Sequence, residues 1–183
     1  MAAFNLFKSL PNIISVVRLI LVPVAVSLIA SQSWLSAFLV FALAGVSDAV
    51  DGYLAKRFQL QSELGAHLDP LADKALLVSI YVTLAIMAII PRTLSILVVS
   101  RDLMIVGGVV VALLLGKPMT IHPLLISKLN TAMQILLAGS VLGAMAFGIN
   151  LDGWFDVMVA GVAALTIASM AAYLAQWLNH MSR

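Results

Sequence analysis

Cysteine is absent from this chain, so neither a disulfide framework nor thiolate chemistry is available to it. Charge is scarce as well. Only 10% of the 183 residues are Asp, Glu, Lys or Arg, against about 25% in an ordinary soluble domain. Aromatic residues make up 7% and the formal net charge is +2. With no basic stripe and no aromatic RNA-binding motif, nucleic acid is not an expected partner. What remains is apolar: 63% of the residues, with a mean hydropathy of +1.13. That balance excludes an ordinary soluble domain and implies an all-α, polytopic integral membrane protein, organised as a single domain over residues 1–183. A cleaved leader is not expected, because Lys8 precedes a long apolar stretch with no small-residue cleavage site.

A membrane-spanning helix needs roughly 20 apolar residues. Six segments approach that length: Ile13–Ala30, Trp34–Ala55, Leu68–Ile90, Leu94–Gly116, Leu124–Gly148 and Phe155–Leu178. The connections between them are short and rich in turn residues, as in Ser31-Gln32-Ser33 and Pro91-Arg92. Ahead of the first span, Asn5 to Asn12 reads either as a short interfacial helix with Phe4, Leu6 and Phe7 in the headgroups or as a frayed terminus. Six crossings put both termini on one side, together with the connections after the second and fourth spans. Those pieces carry Lys8, Lys56, Arg57, Lys117, Lys128 and Arg183, whereas the opposite connections carry Arg92 with Asp152 and Asp156. The positive-inside rule therefore predicts cytoplasmic termini and a cytoplasmic loop from Lys56 to His67.

Against this apolar background, residues 47–74, SDAVDGYLAKRFQLQSELGAHLDPLADK, hold four aspartates. Asp48 and Asp51 are three apart near the end of the second span. Asp69 and Asp73 are four apart at the start of the third. At 100° per residue these offsets separate each pair by roughly 60° and 40°, hence onto a common helix face. Adjacent antiparallel helices are expected to face each other, which lets four carboxylates converge. A bare Asp at mid-membrane costs roughly 2.5–3.5 kcal/mol, and mutual repulsion adds to that. Divalent cations remove the difficulty. Hard carboxylate oxygens suit Mg²⁺ or Mn²⁺, and His67, His122 and His180 have no metal-ligand spacing. Gly52, Ala55 and Gly65 leave the carboxylate-bearing faces open to a ligand, and Lys56 and Arg57 add positive charge beside them. Two cations, a basic rim and a floor without side chains suit a pyrophosphate-bearing substrate. The alternative is that Asp48 and Asp69 cap helices and the others are interfacial charges.

The run Asp48-x-x-Asp51-Gly52-x-x-Ala55 followed by Gly65-x-x-x-Asp69-x-x-x-Asp73 resembles the signature of the CDP-alcohol phosphotransferases, with every spacing in agreement. One position departs: the family has Arg after the alanine, and this chain has Lys56 there with Arg57 next. Lysine cannot make a planar bidentate grip on phosphate. The resemblance implies that Asp48, Asp51, Asp69 and Asp73 hold two divalent cations on the pyrophosphate of a CDP-linked lipid. It also implies that Asp73 serves as general base toward the acceptor hydroxyl, and that Gly52, Ala55, Lys56 and Gly65 lie against the CDP portion. Homodimers and an inner-membrane location, bacterial or mitochondrial, with the site on the cytoplasmic or matrix side, are further implications.

Within the family, "LDPLADKALL", "SRDLMIVGG" and "ISKLNTAMQ" look most like the eukaryotic-type cardiolipin synthases, which use CDP-diacylglycerol and phosphatidylglycerol. The alternative branch, the phosphatidylglycerophosphate synthases, shares "LDPLADK" but tends to carry Arg-Glu and Lys-x-Lys-Thr where this chain has Arg101-Asp102 and Lys128-Leu129-Asn130-Thr131. A glycerol 3-phosphate acceptor brings a dianion and asks for a dense basic pocket. Phosphatidylglycerol asks for fewer cations, which fits a lone Lys128 better. A remoter reading is a divalent-cation transporter, although transport sites tend to lie at the midplane between repeated halves.

Four further residues are candidates for phosphate or acceptor contact. Arg18, on one face with Asn12 and Ser15, either contacts substrate phosphate or snorkels to headgroups. Arg101 either holds an acceptor phosphate or forms a structural ion pair; it lies deep in the fourth span beside Asp102, and since adjacent positions diverge, each of the two is expected to find a partner on another helix. Lys128 is the preferred acceptor-headgroup contact, with Asn130 orienting it; interfacial anchoring is the alternative. Gly139-x-x-x-Gly143 permits close helix packing, within the chain or between copies. Trp34, Trp154 and Trp177 read as an interfacial aromatic belt.

Overall fold

The computed structural model describes the backbone of residues 2–58, 63–116 and 124–182, and the side chains of 16–48, 74–108, 110–116 and 124–182. Six α-helices account for nearly all of it, with no strand among the described residues: α1 (Ala2–Ala30), α2 (Trp34–Phe58), α3 (Glu63–Ile86), α4 (Arg92–Leu114), α5 (Leu125–Phe147) and α6 (Asp152–Met181). The all-helical expectation is met for a physical reason: in hydrocarbon a helix satisfies its own backbone polar groups. By length and composition α4, α5 and α6 can cross a membrane, and Val16–Ala30, Trp34–Asp48 and Lys74–Ile86 are shorter apolar stretches of α1, α2 and α3.

The N-terminal expectation needs correcting. No separate short helix and no frayed end forms over Asn5–Asn12, because α1 is continuous from Ala2 through Pro11 and Pro23. Each proline removes one backbone donor, and a helix bounded by tightly packed neighbours tolerates that loss.

Two compact units are present, Met1–Met87 with Ala138–Asn150, and Ala88–Leu137 with Leu151–Arg183. In the first unit α1 packs against both α2 and α3. Ala25, Ala37 and Ala44 are buried there, and small side chains let helix backbones approach closely. Ile80, Tyr81 and Leu84 of α3 complete that core. The Gly139 and Gly143 pair of α5 also belongs to this unit. A Cβ on Gly139 would lie 3.3 Å from the Phe41 ring, and one on Gly143 3.3 Å from the Phe38 ring. The two glycines therefore seat aromatic side chains of α2, and Phe38 stacks edge-on against Phe147 with centroids 5.6 Å apart. In the second unit α4 packs against α6. Its buried side chains include Leu94, Val98, Ala112 and Val162.

The turns use helix-end chemistry. Gln32 has a φ of 57°, and the Ser33 amide bonds the Leu28 carbonyl at 2.8 Å. After α5, Gly148 has a φ of 66° and the Ile149 amide bonds the Ala144 carbonyl at 2.9 Å. Both are C-terminal caps in which a left-handed residue lets the chain satisfy a terminal carbonyl. Within the helices, the hydroxyls of Ser47, Thr83 and Thr131 donate to carbonyls one turn back. Large aliphatic side chains are exposed along both units, among them Leu39, Leu43, Ile86, Leu103, Leu114 and Leu178. Such a surface is suited to lipid and not to water.

Candidate active site

The signature divides between two unbroken helices. Asp48, Asp51, Gly52, Ala55 and Lys56 all fall on α2, and Gly65, Asp69 and Asp73 all fall on α3. Both aspartate pairs therefore keep their helical spacing along the backbone. The side chains of Asp51, Gly52, Ala55, Lys56, Gly65, Asp69 and Asp73 lie outside the described residues, as does the convergence of the four carboxylates. Among the described residues α2 and α3 each pack on α1.

α1 also contributes chemistry. Arg18 is 2% exposed, and its Nη1 pairs with Oδ1 of Asp48, whose carboxylate is 45% exposed, at 2.8 Å. Arg18 does not snorkel. A cation this deeply buried is stable in an apolar interior because it is paired. One Asp48 oxygen is engaged by Arg18, and the half-exposed carboxylate leaves lone pairs of the second oxygen for another ligand. Fixed carboxylates with hard oxygen donors are the ligand type that Mg²⁺ and Mn²⁺ take. Asp48 is a donor of that type.

The second unit holds a buried polar seam joining α4, α5 and α6. Arg101 is 3% exposed. Its Nε and Nη2 each donate to the Ser169 hydroxyl at 3.2 Å, Nη2 also donates to the Ser127 hydroxyl, and Nη1 pairs with Asp102 Oδ1 at 2.5 Å. The guanidinium lies 5.7 Å from the centroid of the Tyr173 ring. The expectation that Arg101 and Asp102 diverge toward separate helices is half corrected. Arg101 does reach α5 and α6, but its long side chain also bends back to its own neighbour. In a medium that solvates charge poorly, a contact ion pair outweighs the usual divergence of adjacent positions.

One helical turn away, the Thr166 hydroxyl donates to Asn130 Oδ1 at 2.9 Å. Asn130 is fully buried at 0% exposure, and its Nδ2 has no hydrogen-bond partner among the described residues. Lys128, by contrast, is exposed. Residues 127 and 130 ascend α5 while 169 and 166 descend α6, the pattern of an antiparallel pair. Ser127, Thr166, Ser169 and Tyr173 were not singled out from sequence. A serine in an apolar helix carries little signal, although the three-residue spacing of Ser127 with Asn130 and of Thr166 with Ser169 marks a shared face on each helix.

Comparison with known proteins agrees with the signature. The family model for CDP-alcohol phosphatidyltransferase matches residues 8–168. The rat protein named cardiolipin synthase (CMP-forming) is 35% identical over 181 residues, covering 90% of this chain and 60% of its own length, and the human protein of that name matches to the same extent. A rice protein named CDP-diacylglycerol–glycerol-3-phosphate 3-phosphatidyltransferase 1, chloroplastic, is 35% identical over 185 residues, 91% of this chain and 56% of its own length. This chain thus spans 60% or less of the length of these relatives. With the signature spacings kept along α2 and α3 and the family model covering residues 8–168, the chain belongs to the CDP-alcohol phosphatidyltransferase family.

Proposed function

We propose that this protein is a metal-dependent phosphatidyltransferase that transfers phosphatidyl from CDP-diacylglycerol to phosphatidylglycerol, giving cardiolipin and CMP. The observation that carries the reading is the signature held on two unbroken helices packed on α1, with Arg18 of α1 fixing Asp48. Likeness to the rat and human cardiolipin synthases supports the choice of acceptor.

Asp48, Asp51, Asp69 and Asp73 would hold two divalent cations, Mg²⁺ or Mn²⁺. When bound, these supply charge neutralisation of the pyrophosphate and a better leaving group. Arg18 holds the Asp48 carboxylate in one orientation. Gly52, Ala55 and Gly65 let the CDP portion approach the helix backbones, and Lys56 supplies a point charge at its phosphates. The acceptor hydroxyl oxygen forms a new bond to the phosphorus that bears diacylglycerol. The bond from that phosphorus to the bridging oxygen breaks, its electron pair leaves with CMP, and Asp73 takes the hydroxyl proton. Exposed Lys128 meets the single negative charge of the acceptor headgroup, with Asn130, buried behind it in α5, as the orienting polar group. Arg101, engaged by Asp102, Ser127 and Ser169, is assigned to holding the helices together.

The same reading has all six helices crossing the membrane, both termini and the site on the cytoplasmic or matrix side, one domain over the whole chain and a homodimer as the working form. Purified protein with both lipids and Mg²⁺ or Mn²⁺ is expected to release CMP. Chelation should abolish that release, and Asp73→Asn should lower it by about 10²- to 10⁴-fold. Unchanged activity in Asp69→Asn or Asp73→Asn refutes the mechanism. A second reading, phosphatidylglycerophosphate synthesis, is favoured by the likeness to the rice enzyme. Preference for glycerol 3-phosphate in an acceptor-swap assay would establish it in place of the first.

A further inference from the structure

Lys128 lies in the first turn of α5, where its amide bonds the Leu124 carbonyl at 3.2 Å. It is exposed, as is Leu129 beside it, whereas Asn130 is fully buried. At 100° per residue Lys128 and Asn130 stand about 160° apart around the helix. A roll of α5 that carries Asn130 outward past Leu129 therefore turns Lys128 inward. Polar bonds resist such a roll. The Thr166 hydroxyl of α6, itself 0% exposed, donates to Asn130 Oδ1 at 2.9 Å. Three residues before Asn130, the Ser127 hydroxyl accepts from Arg101, which also bonds Ser169 of α6. Apolar packing nearby is less directional: a Cβ on Gly161 of α6 would meet Met133 Cε at 3.6 Å, and a methionine adapts its shape to its surroundings.

We propose that Thr166 is a positioning residue of the acceptor site: through Asn130 it sets the roll of α5 and so aims Lys128 at the acceptor headgroup. The target of that aim rests on the acceptor reading given above; the roll does not. Between helices in hydrocarbon no hydrophobic force selects the contacting face, so packing and interhelical hydrogen bonds decide it. Asn130 Nδ2 has no hydrogen-bond partner among the described residues, which leaves the Thr166 hydroxyl as the described side-chain partner that holds this amide inside. Without the hydroxyl, both ends of a buried amide are unpaired, and the amide is drawn toward water and headgroups at the nearby helix end. Asn130 is in the second turn of α5, so a small roll suffices. The same motion carries the lysine ammonium away from the acceptor phosphate. The flexible four-carbon stem of Lys128 absorbs part of the displacement, and the bond from Arg101 to Ser127 limits the roll. The effect therefore falls on acceptor affinity and not on the chemical step.

The chain has no cysteine, so Lys128→Cys introduces a single thiol. Its rate of reaction with a water-soluble methanethiosulfonate reports its exposure in proteoliposomes of the full chain. Adding Thr166→Val is expected to slow that reaction about fivefold, the factor that corresponds to the roughly 1 kcal/mol net worth of one neutral hydrogen bond. A thiol placed by Leu129→Cys should keep its rate. In the chain that retains Lys128, Thr166→Val should raise the KM for phosphatidylglycerol by a similar factor and leave kcat and the KM for CDP-diacylglycerol at the parent values. Thr166→Ser keeps the hydroxyl and should restore both readouts; Thr166→Ala serves if the valine variant aggregates. An unchanged thiol rate at position 128 overturns the proposal, as do equal changes at 128 and 129, which signal general loosening. A fall in kcat with no rise in acceptor KM overturns it too. Lys128→Ala tests the underlying reading separately. If it leaves the acceptor KM unchanged, the lysine is not the acceptor contact and the proposal loses its target, whatever the thiol rates show.

Discussion

Replacing Arg101 with Met tests whether the buried seam of α4, α5 and α6 is a stability element. Arg101 is 3% exposed and pairs with Asp102 at 2.5 Å while donating to hydroxyls on both neighbouring helices. Removing one partner of a buried ion pair costs about 3–5 kcal/mol. The lost contact with Tyr173 overlaps this figure and is not added to it, because groups in one network are not additive. Ser127 and Ser169 recover part of their hydrogen bonding by turning to carbonyls on their own helices. Arg101→Met is therefore expected to destabilise the protein by about 3–5 kcal/mol. Arg101→Lys keeps the charge for Asp102 but not the fork that spans two hydroxyls, and should cost about 1.5–3 kcal/mol. The informative variant is the double replacement Arg101→Met with Asp102→Leu. With both charges gone, no uncompensated charge is left in the seam, and stability should return to the parent value or exceed it by about 1–4 kcal/mol. Equilibrium unfolding in mixed micelles, followed by tryptophan fluorescence, measures all three. A single Arg101→Met variant within about 0.5 kcal/mol of the parent refutes the argument. So does a double variant as unstable as the single one.

Other perturbations probe the first unit. Arg18→Gln removes the group that orients Asp48, so CMP release should fall about 10- to 100-fold, as when a metal ligand loses its supporting partner. The folded fraction measured by chromatography should stay constant in that variant. Gly143→Leu drives a side chain into the Phe38 ring and should destabilise by about 1–3 kcal/mol, measurable by thermal unfolding. Gln32→Gly relieves a left-handed residue at the end of α1 and should raise stability by about 1 kcal/mol, detectable as a higher melting temperature.

The sequence alone was sufficient for the helical architecture and for the family. Burial of a backbone in hydrocarbon leaves helices as the economical solution for runs of this length, so the extents of α2 and α5 were legible to within a few residues. The aspartate signature was equally legible, because helical periodicity converts spacing directly into a shared face. Long-range partners were another matter. Nothing in the spacing told that Arg18 would reach Asp48, that Phe38 and Phe41 would rest on Gly143 and Gly139, or that Trp177 would turn inward onto Gly108. Arg101 is the clearest instance: local geometry argued that it should part from Asp102, and the buried environment joined them. Periodicity acts within one helix and is written in consecutive residues. Pairing between helices depends on which faces meet, and the cost of an unpaired charge or an unfilled seat decides it only once those faces are in contact.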